Sequence, residues 1–557
     1  MSRAAPAFPP IERLAPAVLA LIVALLVFVP LSAIILGAAR DTGGYGLRPL
    51  LTVLGSWRVI GNTLALGAGA TMLSALLGGA LALALVRVRT PGQALLEQLV
   101  VLPLYVTPLL TAIAWSWLGT PRGGLINVVA RRVLGIEGAV IDLQGAGGVI
   151  FVAALSAVPV PFLLIAGGLR AMDPALEERA RVHGASAARA VRTVTLPLVL
   201  PAAAASALLV LVQSMSLFSV PAVLGIPAGF QTAGTEIYRL LNTYPARFAQ
   251  AAAWGVLLLV VTSVLVGLQT LLLRGRSFTT ITGKAFRTHR LDIGGARWVL
   301  AGFAWLYVTA ALVLPVGTLA WAAFVNFLTI DPGLMAFDLR HVRYVLFDYP
   351  KTWLALGNSL KLAAGTATLC CMLGLGIGWV VVRSHSQLRW FLDQASMVPL
   401  SVPSMVVALG LLWAYAGTWW VPVYGTIWIL LIAYVTHYLP FGVRAAGAGL
   451  RQLHPELEEA ARVAGASWLR ALCTVVVPLQ WPTLASAWTL VFVLALQEVS
   501  ASILLYTSNT TVLSVAVFDL WEAGNVNGLA ALSVLQLLVT FAAIALLTLL
   551  RRRNLPA

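Results

Sequence analysis

Hydrophobic positions in this chain fall in long unbroken runs, with neither strict alternation nor a heptad rhythm. Twelve runs lie near residues 16–38, 59–86, 99–118, 148–169, 197–218, 250–273, 298–325, 354–382, 395–416, 424–443, 480–505 and 528–550. Each is close to the roughly 20 apolar residues that carry a helix across a hydrocarbon core. A transmembrane barrel would show short segments of alternating polarity. The pattern therefore predicts an all-α polytopic membrane protein with 12 transmembrane helices. The first run is longer than the apolar core of a signal peptide and is expected to remain as a span. Composition agrees: of 557 residues, 60% are hydrophobic and 10% charged, with mean hydropathy +0.93, whereas a soluble domain carries about 25% charge.

The polar intervals contain an internal repeat. Residues 174–201 read PALEERARVHGASAARAVRTVTLPLVLP and residues 455–482 read PELEEAARVAGASWLRALCTVVVPLQWP, with 17 of 28 positions identical at an offset of 281. Earlier in each half the offset is 296, pairing Gly61-Asn62-Thr63 with Gly357-Asn358-Ser359, Arg87 with Arg383, Glu97 with Asp393 and Pro103 with Pro399. The chain thus reads as two tandem six-helix units. An even number of spans per unit gives both copies the same orientation, so their pseudo-two-fold axis should follow the membrane normal. The expected organisation is an N-terminal segment with the first span (1–56), a first core unit (57–273) and a linker (274–297). A seventh span with its loop (298–352), a second core unit (353–550) and a basic tail (551–557) follow.

The formal charge of +16 sorts by side. Placing both termini and the even-numbered loops inside puts 24 of the 36 basic residues there, as the positive-inside rule requires. Both termini, the linker and both repeated blocks are then expected to be cytoplasmic. The basic excess is a topology signal, and no nucleic-acid partner is expected. Each block reads as a short helix ending at Gly184 or Gly465, then a second short helix, then a span opening near Pro197 or Pro478. Asp173 is positioned to cap the first copy, and Glu177, Glu178, Arg181 and Arg189 are expected on the surface. Gly374-x3-Gly378 should permit close helix packing.

The residues Glu459-Ala460-Ala461-x3-Gly465-x9-Val475-x-Val477-Pro478, and Glu178-Arg179-Ala180-x3-Gly184-x9-Val194-x-Leu196-Pro197 in the first copy, resemble the EAA loop of permease subunits of bacterial binding-protein-dependent ABC importers (type I fold). Arg179 stands where alanine is usual. The resemblance implies a transport permease, not an enzyme, in the bacterial inner membrane. Two copies of an ABC ATPase subunit would dock on the loops through Glu177, Glu178, Ala180 and Gly184, and through Glu458, Glu459, Ala460, Ala461 and Gly465. A periplasmic binding protein would deliver cargo, and ATP and Mg would bind on the partner chains. The chain itself needs no cofactor. Its one Gly-Lys pair, Gly283-Lys284, lacks the rest of a phosphate loop, and its three cysteines and six histidines form no metal spacing.

The fused two-unit form resembles ferric-iron transport permeases, through Ser277–Lys284 of the linker, 497–506 and 511–516. Fused permeases for thiamine, phosphonate, sugar phosphate or polyamine share the architecture, so cargo stays open. An ion-coupled secondary transporter is a further alternative. It would need buried coupling charges in both halves, and it leaves the duplicated block unexplained. Glu498 is the one acidic residue placed within the hydrocarbon, in the eleventh run. It either lines a translocation pathway with Gln497, Ser500, Ser216 and Ser219, or fixes helix packing by accepting hydrogen bonds. Leu217 occupies the matching place in the first half.

Overall fold

The computed structural model describes residues 10–41, 44–136, 138–173, 175–273, 293–326, 336–418 and 422–553. Pro174, Trp419-Trp420, most of the linker including Ser277–Lys284, and the end of the basic tail lie outside them. Among the described residues the regular structure is helical apart from isolated bridges and a short hairpin, Arg40–Asp41 with Gly44–Tyr45. Among these residues nine helices are long and apolar enough to cross a membrane, and three bent pairs bring the number of crossings to twelve if each pair is one span. Numbered in chain order, spans 1, 2, 5 and 6 are Leu14–Ala38, Trp57–Arg87, Val191–Met215 and Phe248–Leu268. Spans 7, 8, 10, 11 and 12 are Ala296–Phe324, Lys351–Arg383, Ile427–Gln452, Trp468–Leu496 and Val526–Leu549.

The bent pairs are span 3 (Gln93–Tyr105 with Pro108–Gly119, 97°), span 4 (Ala146–Ala157 with Pro159–Ala171, 42°) and span 9 (Arg389–Leu400 with Ser404–Tyr415, 106°). Hydropathy alone suggests straight crossings for spans 3 and 9. The structure turns both by about a right angle at matched places. In span 3 the turn falls on Val106 and Thr107, both extended, and Thr107 precedes Pro108. In span 9 it falls at Val402, before Pro403. A proline disfavours helical geometry in the residue before it and withdraws a backbone donor.

Each half lends its first span to the other. Span 1 packs on spans 8 and 9 of the second half, so closely that a Cβ on Gly410 would fall 2.2 Å from the Pro30 carbonyl oxygen. Thr436 Oγ1 donates to the Leu26 carbonyl at 3.3 Å. Span 7 packs on span 3 of the first half, where Trp115 Nε1 donates to the Ala310 carbonyl at 3.2 Å. The Tyr307 hydroxyl donates to the Leu155 carbonyl of span 4, also at 3.2 Å. One continuous buried cluster consequently runs through both halves.

Spans 8 and 10 meet backbone to backbone, as Gly374-x3-Gly378 suggests. A Cβ on Gly374 would lie 2.4 Å from the Gly442 carbonyl carbon, and one on Gly442 would lie 2.1 Å from the Cys370 carbonyl oxygen. Gly78, the match of Gly374, sits equally tightly against span 4, with Phe162 N at 2.9 Å. Small residues of this kind let helices associate in lipid, where no hydrophobic drive favours it. Gly442→Ala should therefore cost at least about 1–3 kcal/mol through overpacking. A lowered thermal-unfolding midpoint in detergent would show this. Gly447→Ala, in the same helix with nothing within 4 Å of its Cβ position, should leave the midpoint unchanged or raised.

Candidate functional site at the duplicated loops

Both blocks fold to one local design. The helices Ala175–Val182 and Pro455–Val463 end at Gly184 and Gly465, with φ of +84° and +92°. Ala185 N donates to the Ala180 carbonyl and Ala466 N to the Ala461 carbonyl, each at 3.0 Å. This is a Schellman closure, which requires a left-handed residue and so a glycine. Ser186 and Ser467 then cap the next turn, their Oγ atoms accepting from Arg189 N at 3.3 Å and Arg470 N at 3.4 Å. Asp173 Oδ1 accepts from Ala175 N at 2.9 Å at the start of the first block. The second short helix of each block is not a separate element. It widens into a π turn, Val191–Thr195 or Leu472–Val476, and continues as span 5 or 11. The wider turn accommodates Pro197 and Pro478, whose rings cannot complete an α-helical ladder.

The paired glutamates do not both face outward as the sequence suggests. Successive helical residues point about 100° apart, so one of each pair turns in. Glu177 and Glu458 are both 8% exposed, while Glu459 is exposed. In the first copy Glu177 Oε1 accepts from Arg87 Nη2 at 2.7 Å and from Thr195 Oγ1, with the Arg87 side chain 2% exposed. In the second copy Trp379 Nε1 donates to both Glu458 oxygens, at 3.0 and 3.2 Å. Arg383, the match of Arg87, instead caps the Leu450 and Leu453 carbonyls. Leu83 stands where Trp379 does. A cavity of about 910 Å³ opens beside the second loop, lined by Trp379, Arg383, His385, Glu458, Glu459 and Arg462. Ala460, Gly184 and Gly465 are exposed, and Ala180 and Ala461 half-buried. The side chains of Glu178 and Arg181 lie outside the described residues.

Glu498 is placed differently from expectation. The helix of span 11 stops at Leu496, and Glu498 lies in a break before a short helix, Ser502–Leu505. It is 9% exposed. Ser404 Oγ donates to its Oε1 at 3.0 Å, Tyr438 Oη to its Oε2 at 2.6 Å, and Ala501 N to Oε1 at 3.0 Å. Its backbone carbonyl accepts from Ser502 Oγ and Ser514 Oγ. The first half breaks at the same point, after Met215, but offers Pro108, Ala157 and Leu217 at the matching places. There Ser216 Oγ turns to the Val212 carbonyl at 2.6 Å. Ser219 is buried, Ser500 and Gln497 half-buried.

A family model described as the binding-protein-dependent transport system inner membrane component matches residues 75–277 and again 371–555. The chain belongs to this family. It is an ABC importer permease of the inner membrane, with both units on one chain. It is 30% identical over 463 residues to a Haemophilus influenzae protein named "Putative ferric transport system permease protein", spanning 82% of this chain and 71% of that one. The ferric transport system permease protein of Actinobacillus pleuropneumoniae is 29% identical over 91% of this chain and 74% of its own length. A Salmonella typhimurium protein named "Putative 2-aminoethylphosphonate transport system permease protein" is 29% identical over 37% of this chain and 76% of its own. A solved bacterial ABC transporter involved in alginate import contains a chain matching 48% of this one, and 98% of itself, at 23% identity and a TM-score of 0.41.

At the end of the permease opposite the loops, the Gly-Asn-Thr/Ser repeat acquires a purpose. Asn62 Nδ2 donates to the Gln231 carbonyl and Asn358 Nδ2 to the Thr511 carbonyl, at 2.9 and 3.0 Å. Thr63 Oγ1 accepts from Ala233 N at 2.9 Å, and Ser359 Oγ from Leu513 N at 2.8 Å. These clasps fix the starts of two matched helices, Ala233–Asn242 and Leu513–Glu522. The helices bring Tyr238 and Phe518 ring to ring across the halves, centroids 5.9 Å apart. Phe218 completes the cluster at 5.1 and 5.5 Å.

Among the rim pairs, Glu97 meets Arg170 at 2.6 Å. The matching Asp393 and Arg451 only line a common cleft. The loop anchors Arg87 and Trp379, and the Glu498 partners Ser404 and Tyr438, carry no role in the sequence reading. For Arg87 a signal existed: it recurs as Arg383, as Glu177 recurs as Glu458, although the structure pairs the two types in the first copy and gives Arg383 to the Leu450 and Leu453 carbonyls. Breaking a buried ion pair from one side costs about 3–5 kcal/mol. Arg87→Leu should accordingly speed amide hydrogen exchange across 175–190. Arg87→Leu with Glu177→Leu should restore much of the protection, and Arg383→Leu should loosen its own loop less.

Proposed function

We propose that this permease moves ferric iron inward, taking it from a periplasmic binding protein, with the work supplied by two ATPase subunits seated on the duplicated loops. The carrying observation is the pair of loops. Each presents an exposed face, Glu459-Ala460 in the second copy, on a helix whose other glutamate is tied to span 2 or span 8. A push on either loop is thus delivered directly to a span of the same half. ATP and Mg bind on the partner chains, and the loops, with both termini, face the cytoplasm.

The cargo reading is supported by coverage. Relatives named for ferric transport align along both units, over 82% and 91% of this chain, whereas the phosphonate relative is a shorter protein that aligns over 37% of this chain and 76% of itself. Glu498 serves the pathway from a fixed position. Three donors of the second unit hold its carboxylate beside the break in span 11, and Ser216 and Ser219 stand at the corresponding break in span 5.

In proteoliposomes containing the permease, its ATPase subunits and iron-loaded binding protein, radioactive iron should accumulate only with ATP. Gly465→Asp, at a left-handed position, and Glu459→Arg, on the docking face, should each abolish uptake while leaving membrane insertion intact. Full uptake by both variants would remove the coupling role from the loop.

A further inference from the structure

The second loop is anchored by different groups from the first, although the residues that could form the first kind of anchor are present. Glu177 is held by Arg87 and Thr195. Their matches in the second half are Arg383 and Val476, so the hydroxyl is gone but the guanidinium remains. Arg383 and Glu458 both line the cavity of about 910 Å³ and do not meet across it. Among the described residues Glu458, 8% exposed, accepts only from the neutral Trp379 indole. Arg383 meets no carboxylate among them. Its Nη2 donates to the Leu450 carbonyl at 3.1 Å and to the Leu453 carbonyl, and its Nε is buried with no hydrogen-bond partner.

Three features mark this arrangement as one position of a movable anchor. First, a buried carboxylate with only a neutral donor is costly, and so is a guanidinium with an unsatisfied buried nitrogen; joining the two relieves both. Second, the first copy shows the same residue types closed to 2.7 Å on the same backbone frame. Third, what holds the second copy open is specific to it. Trp379 packs edge-on against Trp468 of the loop, ring centroids 4.9 Å apart. The Trp468 Nε1 is itself buried with no partner among the described residues. Leu83 and Ala187 stand at the matching positions, so the first loop has no indole wedge.

Resting on the docking reading above, we propose that Arg383 is a positioning residue for coupling, which pairs with Glu458 when the ATPase subunits close. The second loop then moves toward span 8, the cavity shrinks, and Arg383 leaves the Leu450 and Leu453 carbonyls. Those carbonyls belong to the end of span 10, directly before the loop helix that opens at Pro455. Their release frees the loop to follow. The first loop stays clamped by Arg87 throughout. The permease thus has one fixed handle and one with two positions, and its halves answer ATP unequally.

The test uses the permease with its ATPase subunits in nanodiscs, in a Cys371→Ser and Cys473→Ser background. Spin labels at His385→Cys and Val463→Cys report on the second loop. Labels at the matching Arg89→Cys and Val182→Cys report on the first, and all four residues are exposed. Trapping with ATP and vanadate should shorten the second-loop distance by about 5 Å, the scale of one helical turn. The first-loop distance should not change. Arg383→Gln and Glu458→Gln should each abolish the shortening and lower the uptake obtained per ATP hydrolysed. Two separate variants keep the test alive if one fails to fold. A second-loop distance that stays or lengthens overturns the movable anchor. So does shortening that persists in either folded variant, or that occurs equally at the first loop. Failure of the ATPase chains to assemble on the permease removes the docking reading itself.

Discussion

The permease depends on a carboxylate turned back into the membrane domain from each duplicated loop. A helix of eight or nine residues outside the bilayer has little stability of its own. Tying Glu177 to Arg87, or Glu458 to Trp379, makes each loop an extension of a span. The Schellman glycine and serine cap then fix the angle at which its outer face is shown. Without the inward glutamate the exposed helix would be a floppy handle, and force applied there would be lost in the loop.

The two halves repeat their backbone more faithfully than their chemistry. Breaks after Met215 and Leu496, bends in spans 3 and 9, and clasps from Asn62 and Asn358 recur at matched places. The side chains filling that frame differ. One loop is held by an ion pair and the other by an indole, with a cavity beside it. One broken span carries Glu498 with three donors and the other carries Leu217. A fused chain can let its halves diverge in this way, because each meets its partner only in one fixed arrangement. The exchange of spans 1 and 7 between halves maintains that arrangement, through contacts as close as Gly410 against Pro30.

Much of this was legible in the chain. Runs of apolar residues located twelve crossings because a bilayer leaves helices few alternatives. The repeated block announced itself by identity, and the glycine pairs by their spacing. The bends in spans 3 and 9 were hidden because hydropathy does not register direction, although Pro108 and Pro403 stood at the corners. The burial of Glu177 and Glu458 was missed because charge at a loop is ordinarily solvated. Their partners Arg87 and Trp379 lie about 80–90 residues away, and only the fold brings them near. Glu498 drew notice as a lone buried acid, but its donors Ser404 and Tyr438 come from two other spans.

We propose that motion of separate ATPase subunits enters this permease through the loops. The decisive experiment places a cysteine by Ala460→Cys in a background carrying Cys473→Ser. It then asks whether a reversible crosslinker joins that site to the ATPase chain and what becomes of ATP-driven uptake. Crosslinking to the ATPase chain is expected, with uptake arrested while the bond holds and recovering on reduction. Uptake that proceeds at full rate without any ATPase chain at residue 460 would contradict it.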